Sequence, residues 1–308
     1  MTVGIGSGYV ELDPFLREAP NPLWHRIPAN FLSFARRKPL GFVGGLIILL
    51  IVIAAIPPVT GWIAPYDYDR TDVRQRLKGS SSEHYLGTDN LGRDTFSRIV
   101  YAARVTAIVG FGAVALSEML SAVIGIVSGY YMGWLDKIGQ RIVDVFQALP
   151  ALLVFITIFG IFGSPLWLLV LVIGVIQGIP GSRLIRGQVI STMALPFVEA
   201  ARVVGVGDMR LMWRHVLPNV MPLIILGFTA RVGFVILIEA TLSFLGFGAQ
   251  PPFPSWGQML SFEGRQYMRT QPGLAIYPGL AITLAVFSFN VLGDALRDVF
   301  DPRLRGTR

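Results

Sequence analysis

EAARVVGVGDMRLMWRHVLPNVMP, residues 199–222, is a polar interruption between two apolar runs, and its pattern is helix, hinge, helix. Residues 197–204 follow Pro196 with amphipathic spacing, and Gly205-Val206-Gly207 breaks the helix they predict. Asp208 is placed to cap a second short helix over residues 209–216, which Pro218 is expected to stop. Met209, Met212, Trp213 and Val216 share one face of that helix, with Arg210 and Arg214 on another. A stripe of this kind on a polar segment calls for a second surface to cover it.

The flanks of this stretch set the class. Of 308 residues, 53% are hydrophobic and 15% charged, whereas soluble domains carry about a quarter charged residues. Several runs approach or exceed the ~18 apolar residues that mark a spanning helix. The expectation is an all-α polytopic membrane protein with six spans, near residues 41–59, 105–127, 142–162, 166–185, 220–244 and 274–292. Lys and Arg concentrate in residues 1–40, 128–141, 186–219 and 293–308, which favours both termini in the cytoplasm. The net charge of +7 therefore reads as basic flanks of apolar spans, with no nucleic-acid partner. The organisation expected is a cytoplasmic N-terminal tail (1–40), a first span with its outer loop (41–104), a permease core (105–292) and a cytoplasmic tail (293–308). The loop 186–219 belongs to the core and faces the cytoplasm.

Residues 1–40 carry no cleavable signal pattern, so the first span is expected to act as the targeting signal. The GIGSG at residues 4–8 has no strand before it and no helix after it, which argues against a phosphate loop. Trp24, Ile27, Phe31 and Phe34 recur at helical spacing ahead of Arg36-Arg37-Lys38. Either an interfacial helix on the cytoplasmic leaflet or a plain basic flank fits that pattern. Ionisable residues at membrane depth are functional candidates, because each is costly unless paired or hydrated. Glu118, Asp144, Arg231 and Glu239 qualify. Asp144 follows Arg141 by three residues, as a surface pair would. Arg231 and Glu239 fall two turns apart on one broad side, so a buried structural pairing, with Glu118 as a further member, is preferred to a solute contact.

Enzyme classes are poorly supported. The absence of cysteine removes thiol chemistry, and His25, His84 and His215 are scattered, so no metal site is expected. Neither GxSxG nor GxxxxGK[ST] occurs. Transport against a gradient driven by ATP would need a separate ATPase chain.

At this point the residues resemble a family. Glu199-Ala200-Ala201, then Gly205, then Leu217-Pro218 keep the spacing of the EAA…G…LP loop of bacterial ABC-importer permeases, with His215 where an aliphatic residue is common. YLGTDNLGRD at residues 85–94, followed by Ser97-Arg98, resembles the first outer-loop signature of the dipeptide, oligopeptide and nickel branch. SFLGFGAQPPFPSWG at residues 243–257 and NVLGDALRDVFDPRL at residues 290–304 resemble two further stretches of that branch. Together they cover about residues 30–305 and point to its second permease subunit.

The resemblance implies a type I importer permease fold in the inner membrane of a bacterium or archaeon. It implies a paralogous permease partner, two ATPase subunits holding ATP and magnesium, an extracytoplasmic solute-binding protein, and no catalysis or cofactor in this chain. Glu199, Ala200, Ala201, Gly205, Asp208, Met212, Trp213, Leu217 and Pro218 would form the ATPase-coupling loop. Exposed Met209, Met212 and Trp213 would dock in an ATPase groove, against the alternative that they lie on the membrane surface. Gly87, Thr88, Asp89, Gly92, Arg93 and Asp94 form either a contact to a partner or a self-capped turn, and local backbone bonding favours the turn. Three prolines within residues 251–254 predict a rigid outer turn. In the tail, Arg297 could pair with Asp294 or Asp301 on a helix surface, in a group with Asp298 and Arg303, or the end could be solvated. Di- or oligopeptides are the expected solutes, with nickel, glutathione or oligosaccharides as alternatives. A stand-alone secondary transporter is the rival class, and it would leave the docking loop unexplained.

Overall fold

The structure is a computed structural model, and it describes residues 35, 36 and 38–300, with side chains described to Asp298. The GIGSG cluster, nearly all of the amphipathic stretch before residue 38, and Asp301 and Arg303 lie outside the described residues. The chain divides into Met1–Pro39, of which few residues are described, and the body Leu40–Arg308.

The body is helical among the described residues, apart from an isolated bridge between Thr88 and Asp94. Helix α1 (Pro39–Ala54) is apolar throughout and meets α2 (Pro57–Ile63) at a bend of 98°. The expected span over 41–59 therefore breaks. Ile56 precedes Pro57 and is extended, with φ −76° and ψ 118°, because the proline ring disfavours the helical region for its predecessor. Helix α3 (Thr95–Tyr131) has 37 residues and starts ten residues before the apolar run that predicted it. At 1.5 Å per residue it is ~55 Å long, more than a bilayer core requires.

Helices α4 (Gly133–Ala148) and α5 (Ala151–Phe162) correct the third expected span. They meet at 82°, with Leu149 extended ahead of Pro150. Helix α6 (Leu166–Met193) leads to α7 (Pro196–Val203) and α8 (Asp208–Leu211). A π turn (Met212–Val216) then runs without a break into α9 (Leu217–Phe244). Residues 208–244 thus form one 37-residue helix, and Pro218 does not stop it. Proline removes one backbone donor and crowds the carbonyl four residues back; the widened π turn upstream gives that carbonyl room. Helix α10 (Trp256–Met259), a second π turn (Leu260–Gly264) and α11 (Gly273–Phe300) complete the order. Among the described residues, four helices are long and apolar enough to cross a membrane, or six if each bent pair counts as one span.

The tightest packing joins α3 to α6. Ser117, Ser121, Gly125 and Gly129 recur every fourth residue on α3, facing Gly174, Gly178 and Ser182 on α6. A Cβ at Gly125 would stand 2.7 Å from the Ser182 carbonyl oxygen, and one at Gly178 would stand 2.9 Å from that of Ser117. Small residues at this spacing let backbones approach where no hydrophobic effect pulls helices together in lipid. The Ser121 hydroxyl donates to the Gly178 carbonyl at 2.8 Å across the seam. Around it, Val109, Ala113 and Val114 of α3 pack with Leu169 and Ile173 of α6, Val232 and Ile236 of α9, and Ala285 and Phe289 of α11. Phe234, Leu237, Leu284 and Phe287 remain exposed, as a membrane solvent permits.

Candidate functional site

The loop of residues 196–218 is built on its hinge. Gly205 takes φ +83° just after α7, a left-handed value that costs a side-chain-bearing residue about 1–2 kcal/mol. Gly207, and not Asp208, is the N-cap of α8; Asp208 stands in the first turn, and its Oδ1 accepts from the Tyr130 hydroxyl at 2.6 Å. The expected apolar face divides. Met212 is buried with Tyr130, Val198 and Leu211, and Val216 packs with Ile185, Val189 and Val220. Met209 and Trp213 are each 65% exposed, joined by Val203 at 86% and Val204 at 83%. The expectation of an exposed Met212 is therefore corrected, and Val203 and Val204 enlarge the open patch. Glu199, Ala200 and Pro218 are exposed, while Ala201 and Leu217 are half-buried. The ring of His215 lies 6.4 Å from that of Phe197, a contact between the π turn and α7.

Among the charges at membrane depth, Arg231 Nη1 lies 3.1 Å from Glu118 Oε1 and donates to Ser117 and Ser121 at 3.1 Å each. This ties α9 to the small-residue face of α3. A Cβ at Gly181 would collide with the Arg231 guanidinium, and one at Gly227 would stand 2.9 Å from Glu118 Oε1, so two glycines make space for the pair. Glu239 takes no part in it. Its carboxylate is buried one turn below Ser243, whose hydroxyl donates to it at 2.6 Å. Asp144 is half-exposed and pairs with Arg183 at 2.6 Å and Arg141 at 3.4 Å, a surface arrangement between α4 and α6. About two turns closer to the start of α4, Arg186 grips both oxygens of Asp136, at 2.6 and 2.5 Å. Sequence reading passed over Asp136 and Arg186, because their partnership joins residues fifty apart.

In the long loop before α3, Asp89 Oδ1 accepts from the amides of Leu91 (2.8 Å) and Arg93 (2.9 Å). Its Oδ2 takes Arg93 Nε at 2.6 Å and Arg98 Nη1 at 2.5 Å. Asp94 caps α3 through the Ser97 amide at 2.7 Å and meets His84 Nδ1 at 2.9 Å. The turn needs glycine at two positions: Gly87 has φ +77° and Gly92 φ +75°, and a Cβ on Gly92 would collide with the Asp72 carbonyl. Thr88 ties the turn down by donating to the Gln75 carbonyl and accepting from the Lys78 amide. Glu263, unmarked in the sequence, completes the group by accepting from Arg93 and Arg98 at 2.9 Å each. Two carboxylates and two guanidiniums thus neutralise one another and lock the first long loop to the second. Trp256 supports the same junction through its indole N–H, 3.0 Å from the Ile99 carbonyl. In the tail, Asp294 and Arg297 are both exposed and form no ion pair among the described residues.

A helical body with four to six candidate spans among the described residues, a hinged loop that presents apolar residues beside acidic and basic ones, and arginine–carboxylate pairs between elements are the features of a membrane protein with a surface for a partner. Residues 121–306 match the family of binding-protein-dependent transport system inner membrane components. Residues 31–80 match the N-terminal TM domain of oligopeptide transport permease C. The chain is 40% identical to glutathione transport system permease protein GsiD of Pectobacterium atrosepticum, over 92% of each chain. It is 38% identical to the GsiD of Escherichia coli O1:K1 / APEC, over 92% of this chain and 91% of that one. The chain belongs to the family of binding-protein-dependent transport system inner membrane components, and it is an inner-membrane permease subunit of an ABC importer.

Proposed function

We propose that this subunit forms a solute pathway with a paralogous permease and is driven through residues 199–218 by two separate ATPase subunits. On this reading ATP and magnesium are held by those subunits, this chain is non-catalytic and holds no cofactor of its own, and an extracytoplasmic binding protein delivers the solute. The carrying observation is the exposed set Val203, Val204, Met209 and Trp213, set on a glycine hinge at the end of a continuous 37-residue helix. Exposed apolar residues on the same loop as the exposed Glu199, Arg210 and Arg214 suit a groove on a partner protein. Glu199 makes no ion pair among the described residues, which leaves its carboxylate available to a partner cation.

The solutes are peptide-like on this reading, and glutathione, named for two similar permeases, is the first to test. The test is reconstitution of the whole importer in proteoliposomes with its binding protein. ATP-dependent uptake of labelled glutathione and of di- and oligopeptides would be compared with that of nickel and oligosaccharides. Uptake of a peptide-like solute that falls at least tenfold on Trp213→Ala supports the reading; uptake of nickel alone refutes the solute class. Uptake indifferent to Trp213→Ala refutes the coupling role.

A further inference from the structure

Tyr130 lies on the last turn of α3, buried to 6% exposure, and both helices of the hinged loop hold it. Its hydroxyl donates to Asp208 Oδ1 on α8 at 2.6 Å. The Arg202 guanidinium of α7 stands over its ring at 5.7 Å from the centroid, on the other side of the Gly205–Gly207 hinge. Val198, Leu211 and Met212 pack around the same ring. The patch formed by Val203, Val204, Met209 and Trp213 points outward, so the loop has an outer face for a partner and an inner face closed on one aromatic residue.

We propose that Tyr130 is a positioning residue that latches the hinged loop to α3, so that displacement of the loop is passed to the spans. The proposal rests on the coupling reading of residues 199–218. Two features make the latch effective. A hydrogen bond between a buried phenol and a carboxylate is a charge-assisted contact with a short, directed geometry. It also closes a frame: α8 continues into α9, and α9 returns to α3 through Arg231 and Glu118. The 208–244 helix is therefore tied to α3 at its foot and again at depth. Without the lower tie, the foot of the 208–244 helix could tilt under load from a partner and leave the end of α3 unmoved.

The test uses the complete importer in proteoliposomes and reads solute transported per ATP hydrolysed, beside the amount of ATPase subunit that co-purifies. Tyr130→Phe keeps the ring, the Arg202 stacking and the packing but removes the donor. Asp208→Ala removes the acceptor, and Asp208→Asn retains an amide oxygen that accepts from Tyr130. Tyr130→Phe and Asp208→Ala each remove the charge-assisted bond and should each lower the ratio roughly tenfold. Asp208→Asn, whose amide oxygen accepts a weaker neutral bond, should fall between Asp208→Ala and the parent. A generic structural role would lower assembly and would not separate Asp208→Asn from Asp208→Ala. The latch is overturned if Tyr130→Phe keeps the parent ratio, or if Asp208→Asn falls as far as Asp208→Ala. Because Asp208 is exposed, its two variants decide the question even where Tyr130→Phe assembles poorly. Trp213→Ala, run in parallel, separates the two claims: a transport defect there with intact latch variants sinks the latch alone, and no defect in any of them sinks both.

Discussion

Met212 and Trp213 are neighbours in the chain and lie on opposite sides of the loop surface, one sealed under the helices and one 65% exposed. The helical wheel placed them together because a 100° step still counts as one broad face. What separates them is Tyr130, which rises from α3 to meet Met212 and leaves Trp213 outside. Residue-scale energetics matter more at Glu118. Removing one member of a buried ion pair leaves the other charged and unpaired, which costs about 3–5 kcal/mol. Glu118→Gln is therefore expected to lower the thermal midpoint of the detergent-purified protein, and Glu118→Leu with Arg231→Met to recover most of the loss. Recovery would mark the pair as structural; a stable double variant that has lost transport would give Arg231 a role beyond packing. The same logic makes Asp89, with four accepted hydrogen bonds, the residue whose loss should most loosen the loop before α3. Asp89→Ala is expected to expose residues 70–90 to limited proteolysis that the parent resists.

At the scale of elements, the α3–α6 seam carries the fold. Gly125→Val would push a side chain into the Ser182 carbonyl and Ile185, both backbone-anchored neighbours. Overpacking of this kind typically costs about 1–3 kcal/mol, so its melting temperature should fall below that of the parent, while Gly187→Ala, in open space inside a helix, should match or exceed it. Much of the architecture was legible in the sequence: apolar runs located α3, α6, α9 and α11, and the EAA spacing located the hinged loop. The breaks at Ile56 and Leu149 were misread because hydropathy is blind to the backbone, although Pro57 and Pro150 stood in plain view. The polar start of α3 was missed for the opposite reason. Thr95, Ser97 and Arg98 are buried by the long loops, which periodicity along a single helix cannot register. Pro218 misled in turn: the helix runs through it from the π turn, as three spans run through Pro180, Pro222 and Pro278, because packed membrane helices tolerate a proline that breaks a helix in water. Of the candidate site, local partners such as Asp89 with Arg93 could be read from spacing. Glu263, Asp136 and Tyr130 could not, because their partners are distant in the chain.

At the scale of the whole molecule, among the described residues the buried acids Glu118, Asp89, Glu263 and Asp136 are met by arginines, Glu239 is held by a hydroxyl, and the exposed apolar surface includes the faces of the spans and the hinged loop. That distribution belongs to a subunit whose work is done against other chains. Its free surfaces can be probed directly, because the sequence holds no cysteine and a single introduced thiol reports its own surroundings. The decisive measurement is the maleimide labelling rate of a Val203→Cys variant, alone and in the assembled importer, with Phe287→Cys as a membrane-face reference. Docking of the ATPase subunits on the hinged loop predicts fast labelling alone and strong protection on assembly that is specific to Val203→Cys. Equal labelling in both states, in complexes that still import solute, would contradict the account.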